Sequence, residues 1–286
     1  MSTLGIIGGS GLYELEGLTD VEEVRIDTPF GPPSDAVIRG RLGSVTLLFL
    51  PRHGRGHRYA PHRINYRANV FALKKLGAEQ VLSVSAVGSL KESLHPGDFV
   101  LVDQFIDRTR NRAGTFFDDF GLVAHVGFGD PIDAALQRAT ADAARAAGAS
   151  LHVGGTYVCM DGPQFSTRAE SQLYRSWGAA VIGMTNLPEA KLAREAELPY
   201  ATLAMVTDYD CWHTSEEAVT VEAVIRVLQG NVTRAREVVR NLVGRLPDPR
   251  LSPASSALKD AILTAPDFIP PDVRAALAPL IAKYLP

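Results

Sequence analysis

The chain has 286 residues, 46 % of them apolar and 21 % charged, with a formal net charge of −3. That composition suits a soluble globular protein with a large core and gives no electrostatic basis for binding nucleic acid or an anionic membrane. Cys159 and Cys211 are the two cysteines, without zinc-like spacing; no apolar run reaches the ~18 residues of a membrane span, and the opening MSTLGIIGGSG has no signal-peptide pattern, so a cytosolic protein is expected.

Residues 4–7 read as a short strand running into Gly8-Gly9-Ser10-Gly11, a turn whose amides and Ser10 hydroxyl could approach an anion. It matches neither the P-loop nor the dinucleotide fingerprint, and a plain tight turn explains it equally well. Residues 21–27, 36–41 and 45–50 are strand-like and closely spaced, which predicts an antiparallel section early in a mixed sheet. The third ends in Pro51-Arg52-His53-Gly54-Arg55-Gly56-His57. A metal site at His53 and His57 lacks a third ligand, whereas arginine and histidine on a strand-end loop suit an oxyanion, held by a bidentate guanidinium. Arg52 is expected to face only that anion.

Helical spacing over 61–76 stops at Gly77. Residues 81–85 form a strand opening into Ala86-Val87-Gly88-Ser89, a second small-residue loop. Residues 99–106 make one apolar run, 108–129 a long loop, and Asp130-Pro131 starts a helix ending at Gly148. Residues 153–160 are strand-like; the loop after them carries Phe165, an aromatic that could stack on a planar ligand or simply pack, and Thr167 with Glu170 predicts a capping box.

The next stretch organises the rest. Residues 181–184 are a buried strand, Asn186 with Glu189 reads as a helix start, and 201–206 form another buried strand ending in Thr207-Asp208-Tyr209-Asp210-Cys211-Trp212. Two carboxylates just past a buried strand sit where α/β sheets hold ligands, although an Asx turn uses the same residues. Apolar bulk at Cys211 and Trp212 is expected to desolvate the pair and raise its pKa values. Residues 215–246 follow as a long amphipathic helix. One α/β domain with a mixed central sheet is expected over 1–246, and 247–286 as a tail with short helices packed on it. If the strand-end loops converge, one side of the pocket offers hydroxyls, amides and an arginine and the other two acids. Phosphate beside a nitrogen heterocycle points to N-glycosyl transfer.

The motifs GIIGGSG, DTPFGPPSD, RHGRGH, SAVGSL, PGDFVLVDQFIDRT, DGPQFSTRAE, GMTNLPEAKLAREAE and VTDYDCWH occur in order from Gly5 onward, up to about Val227. Together they resemble the purine nucleoside phosphorylase family, and within it the members acting on 5′-methylthioadenosine. The resemblance implies a single α/β domain assembled as a homotrimer. It implies cleavage of 5′-methylthioadenosine by inorganic phosphate, a co-substrate, with no metal and no organic cofactor. By the same resemblance Ser10, Arg52, His53, Ser85, Ala86 and Thr185 fall on phosphate-binding positions. Phe165 and the Met184 backbone contact base and ribose, Asp208 and Asp210 recognise adenine, and Ser166 and Val221 tune specificity. His125 reaches a neighbouring subunit. Gly183 stands where some relatives carry asparagine, so the role of that side chain is either missing here or passed to Asn186. Asp208 is expected to act as the acid toward N7. The alternatives are a 6-oxopurine-preferring phosphorylase, acting on methylthioinosine or inosine and guanosine, a hydrolytic nucleosidase, or a non-catalytic nucleoside-binding protein.

Overall fold

In the computed structural model, which describes residues 2–9, 11–213 and 221–285, one strand ties the sheet together. That strand, β5 (Gln80–Ser89), follows β1 (Thr3–Gly8), β2 (Thr19–Val24), β3 (Val37–Leu42), β4 (Val45–Pro51) and helix α1 (Tyr66–Lys75). Its residues are buried along nearly its whole length, as a strand covered on both faces requires. β1 runs parallel to β4 and β5, while β2, β3 and β4 are joined antiparallel as an edge section, with Glu22 and Glu23 on the outermost strand. Charged residues on an edge discourage further strand addition.

After β5 come β6 (Phe99–Leu101), β7 (Gln104–Arg108), α2 (Ala134–Ala146), β8 (Leu151–Val153), β9 (Thr156–Met160), α3 (Arg168–Ser176), β10 (Val181–Gly183), α4 (Asn186–Glu195), β11 (Tyr200–Asp208) and α5 (Val221–Val243). Among the described residues, eleven strands make one mixed sheet. On one side β5 is parallel to β11 from Val81 to Gly88. On the other it pairs first with β1, through Gln80–Ser83, and then antiparallel with β10, through Gly88 and Ser89. Among the described residues, 84–87 between these partners have no strand neighbour on that side. At Ser85 and Ala86 β5 thus changes partner from β1 to β10, the kind of switch point where α/β sheets bind ligands.

Several local expectations shift. The apolar run 99–106 is two strands, β6 and β7, and 153–160 breaks at Gly154-Gly155, whose amide at Gly155 donates to Asp103 Oδ1 at 3.1 Å. α2 starts three residues beyond Asp130-Pro131, because the Asp133 carboxylate caps the Leu136 N–H at 2.7 Å. The helix read from residue 61 is a short 3₁₀ turn followed by α1, capped by Asn65. The capping box of Thr167 and Glu170 on α3 forms as expected. Of the long helix read over 215–246, the part before Val221 lies outside the described residues. The tail buries Leu258, Ile269, Leu277, Leu280 and Ile281 in the same apolar core as the sheet. Its short helices α6 (Pro271–Ala276) and α7 (Ala278–Ile281) follow Ser252, which donates to Asp133 at 2.6 Å and so binds the tail to the α2 cap.

Candidate active site

β11 carries the two aspartates out of the core. Its register against β5 shifts between Val206 and Asp208, and the chain turns with Asp210 at φ +53°. The Asp210 N–H donates to Asp208 Oδ1 at 2.8 Å, so the pair does form an Asx turn. A turn does not account for the rest. Asp210 is 8 % exposed, and its Oδ2 has no hydrogen-bond partner among the described residues. Burial pushes both carboxyl groups above the usual carboxylate range, and the Asp210 charge adds only a lesser push on Asp208. Thr207 Oγ1 lies 2.7 Å from Asp208 Oδ2 and 3.2 Å from the Val87 carbonyl, and its single hydrogen can serve one of them. Burial favours the protonated form of Asp208 and is the largest influence on it, while the hydrogen bonds from Thr207 and the Asp210 N–H favour the charged form.

The expected anion side is arranged differently from the sequence expectation. Arg52 is buried and turned into the protein: Nε donates to Glu189 Oε2 at 2.7 Å and Nη2 to Glu189 Oε1 at 3.1 Å. Nη2 also reaches Ser83 Oγ and the Ile7 carbonyl, and Nη1 the Val84 carbonyl. A guanidinium has five N–H donors, so one on Nη1 is left for a ligand. The bidentate fork is spent on Glu189, and Arg52 does not face an oxyanion alone. Glu189 also accepts from Ser83 and from the Tyr200 hydroxyl, while Asn186 donates to Tyr200 and Thr202 and accepts from Ser85 Oγ at 3.0 Å. Asn186 and Glu189 therefore do not cap α4. Thr185 occupies the cap position with no side-chain cap bond, and Asn186 is committed to the core rather than standing in for a side chain at Gly183.

His53 Nδ1 lies 2.8 Å from the Tyr59 carbonyl and so carries the hydrogen, leaving Nε2 as an acceptor. Burial lowers its pKa to about 4, so the ring is neutral at pH 7. It stacks on His57 with ring centroids 4.1 Å apart. Among the described residues no three His, Cys, Asp or Glu are grouped to hold a metal.

Contacts between the loops show which of them meet. Thr207 touches the Val87 carbonyl, Cys211 Sγ approaches the Ser166 carbonyl at 3.3 Å, and Gly162 abuts the Met184 side chain. The β5, β9, β10 and β11 ends therefore close on one region, with Ser85 and Thr185 buried in it. Phe165, half exposed, stands on the β9 loop at its edge. The residue that locks this arrangement was not legible. Arg112, from the long loop 109–133, donates to the carbonyls of Asp161, Met184 and Leu187 at 2.6, 2.7 and 2.8 Å, and to Asp161 Oδ1. It thereby fixes the Met184 backbone at the end of β10. A single arginine in an aperiodic loop carries no sequence signal of its own. His125 lies on the same loop, exposed, its N–H bonded to the Ala261 carbonyl, and takes no part in these contacts. Ser10, and the side chain of Val221, lie outside the described residues.

The model of the phosphorylase superfamily matches residues 3–244. Over 99 % of both chains, the sequence is 58 % identical to an S-methyl-5′-thioadenosine phosphorylase of Thermosynechococcus vestitus. A crystal structure of a methylthioadenosine phosphorylase from an antarctic soil metagenomic library superposes with a TM-score of 0.92 at 47 % identity, covering 98 % of this chain and 99 % of that one. The methylthioadenosine phosphorylase of Schistosoma mansoni in complex with adenine superposes at 0.83 with 36 % identity, over 91 % of this chain and 99 % of that one.

Proposed function

Because the chain belongs to the phosphorylase superfamily, we propose that it cleaves 5′-methylthioadenosine with inorganic phosphate, giving adenine and 5-methylthioribose 1-phosphate. The observation that carries this reading is the buried acid pair: Asp208, whose carboxyl burial pushes above the usual range, and Asp210 with one buried oxygen that has no hydrogen-bond partner among the described residues. Breaking the N-glycosidic bond puts negative charge on the leaving purine and positive charge on the ribose. Asp208 donates its proton toward N7 as the bond breaks. Thr207 Oγ1, 2.7 Å from Asp208 Oδ2, is placed to donate to the carboxylate left behind. Asp210 Oδ2, an acceptor, takes a hydrogen of the 6-amino group.

Phosphate sits over Ser85, Ala86 and Thr185 where β5 changes partner from β1 to β10, and Ser10 belongs to the same set by its position in the sequence motif. The last Nη1 hydrogen of Arg52 reaches one oxygen. His53 Nε2 accepts from the hydroxyl that phosphate still carries at neutral pH, which orients the anion while its charged oxygens face the ribose. That charge stabilises the developing cation and then captures C1′. Phe165 and the Met184 amide border the base and ribose, and Ser166 and Val221 lie on positions that set specificity. No metal or organic cofactor enters this chemistry. Assembly as a homotrimer in the cytosol, with His125 reaching a neighbouring subunit, belongs to the same proposal.

A 6-oxopurine substrate would place a carbonyl oxygen against the Asp210 acceptor, which repels it. Product analysis with methylthioadenosine and methylthioinosine, each with and without phosphate, tests the reading. Phosphate-dependent release of adenine is expected. Release without phosphate would mark a hydrolase, no release a binding protein, and preference for methylthioinosine would overturn the role of Asp210.

A further inference from the structure

Tyr157 ends in a hydroxyl with no role in the chemistry above. It lies on β9, wholly buried, its ring packed edge-on to Phe105 at 5.7 Å. The ring runs under β10, and Oη fills the space beside Gly183. A Cβ at residue 183 would come within 2.0 Å of Oη and 3.2 Å of Val87 Cγ1, so a side chain at 183 and this hydroxyl exclude each other. Oη thus lies between Val87, in the unpaired stretch of β5, and Gly183, which leads into Met184 and Thr185. The groups bearing on its ionisation include the Thr185 backbone and the Ser85 hydroxyl. Both lie close enough to Oη to act on it as hydrogen-bonding groups, but neither meets it in hydrogen-bond geometry, and Oη has no partner among the described residues.

A buried phenol without a partner costs folding free energy, and a site that keeps one needs a ligand atom to receive it. The phenol remains protonated at neutral pH because burial raises its pKa. It is therefore a donor, buried beside Ser85 and the Thr185 backbone, the groups placed on phosphate above. We infer that the Tyr157 hydroxyl is a phosphate-binding group that donates to an oxygen of the anion. The inference rests on the phosphate site of the proposed function. It adds a donor to a site where the Arg52 fork is spent on Glu189 and Ser85 donates to Asn186.

The test is Tyr157→Phe, with Thr185→Val as a companion, using inorganic phosphate and methylthioadenosine as separate probes. A hydrogen bond to a charged group corresponds to a weakening of about 10- to 100-fold when it is removed. Tyr157→Phe should raise the phosphate KM by that factor, leave the methylthioadenosine KM within about 3-fold, and shrink the phosphate-induced rise in Tm. The ligand-free Tm should hold or rise, since an unpaired hydroxyl has been removed. A lower ligand-free Tm with unchanged phosphate response would make the hydroxyl structural and overturn the inference. So would a loss confined to methylthioadenosine, which would assign the hydroxyl to the ribose. If Thr185→Val weakens phosphate and Tyr157→Phe does not, Tyr157 alone is wrong; if neither does, the phosphate site itself is misplaced.

Discussion

Asp208 and Asp210 share a turn but differ in what their oxygens meet, and their asparagine variants should separate them. Asp208→Asn keeps the shape and the Asp210 amide bond yet has no transferable proton, so kcat should fall about 10²–10⁴-fold with little change in KM. In the unsubstituted protein kcat should decline as pH rises through the raised pKa of Asp208, and that limb should vanish in the variant. Asp210→Asn adds a donor where only acceptors stood, so activity on methylthioadenosine should drop while the gap to methylthioinosine narrows. Wild-type kinetics in folded variants would leave both residues to the turn. Arg52 makes a different case. Arg52→Ala leaves Glu189 buried without its counter-ion and should cost about 3–5 kcal/mol in urea unfolding. Adding Glu189→Gln should return part of that loss by removing the stranded charge. A stable Arg52→Ala protein with only a raised phosphate KM would restore Arg52 to a purely anion-facing role. The capping signature at Asn186 and Glu189 misled because it is a short-range pattern. Its real partner, Arg52, stands 137 residues away from Glu189, and no local spacing reports such a pair.

Elements were more legible than their ends. Strands with continuous apolar runs and the α3 capping box were readable because burial on two faces and a four-residue cap leave local marks. The split of 99–106 and the late start of α2 were not, since each depends on a carboxylate, Asp103 or Asp133, meeting an amide. The loop 109–133 held the least signal and the most consequence, through Arg112. A second anchor ties it to α4: Glu195 Oε2 accepts the Phe116 N–H at 2.9 Å. Burial raises the Glu195 pKa from 4.5 to about 7. The folded state therefore holds this proton more tightly than the unfolded chain does. The resulting stabilisation is complete below pH 4.5 and is lost as pH rises through about 7, a window worth roughly 3 kcal/mol. Glu195→Gln can still accept from Phe116 but does not titrate. Its Tm should fall less than that of the parent between pH 5 and 8, as read by calorimetry; parallel curves would clear Glu195 of the effect.

At the scale of the molecule, the sheet class followed from alternating strand and helix patterns, and the switch point did not, because it depends on where β1 leaves β5 and β10 takes over. Assembly is equally beyond local pattern. Light scattering at micromolar concentration should give a mass near three chains; a monomer would remove His125 from any cross-subunit role. The hub position of β5 has a further consequence, for biosynthesis. Its edge toward β1 can close as soon as the early strands are made, but its edge toward β11 waits for Tyr200, which pairs with Val81. Until most of the polypeptide has left the ribosome, an apolar strand edge stays open and Arg52 has no counter-ion. Long-range closure of this kind slows folding and exposes sticky intermediates. The nascent chain, rather than the finished enzyme, is then the form most dependent on chaperones.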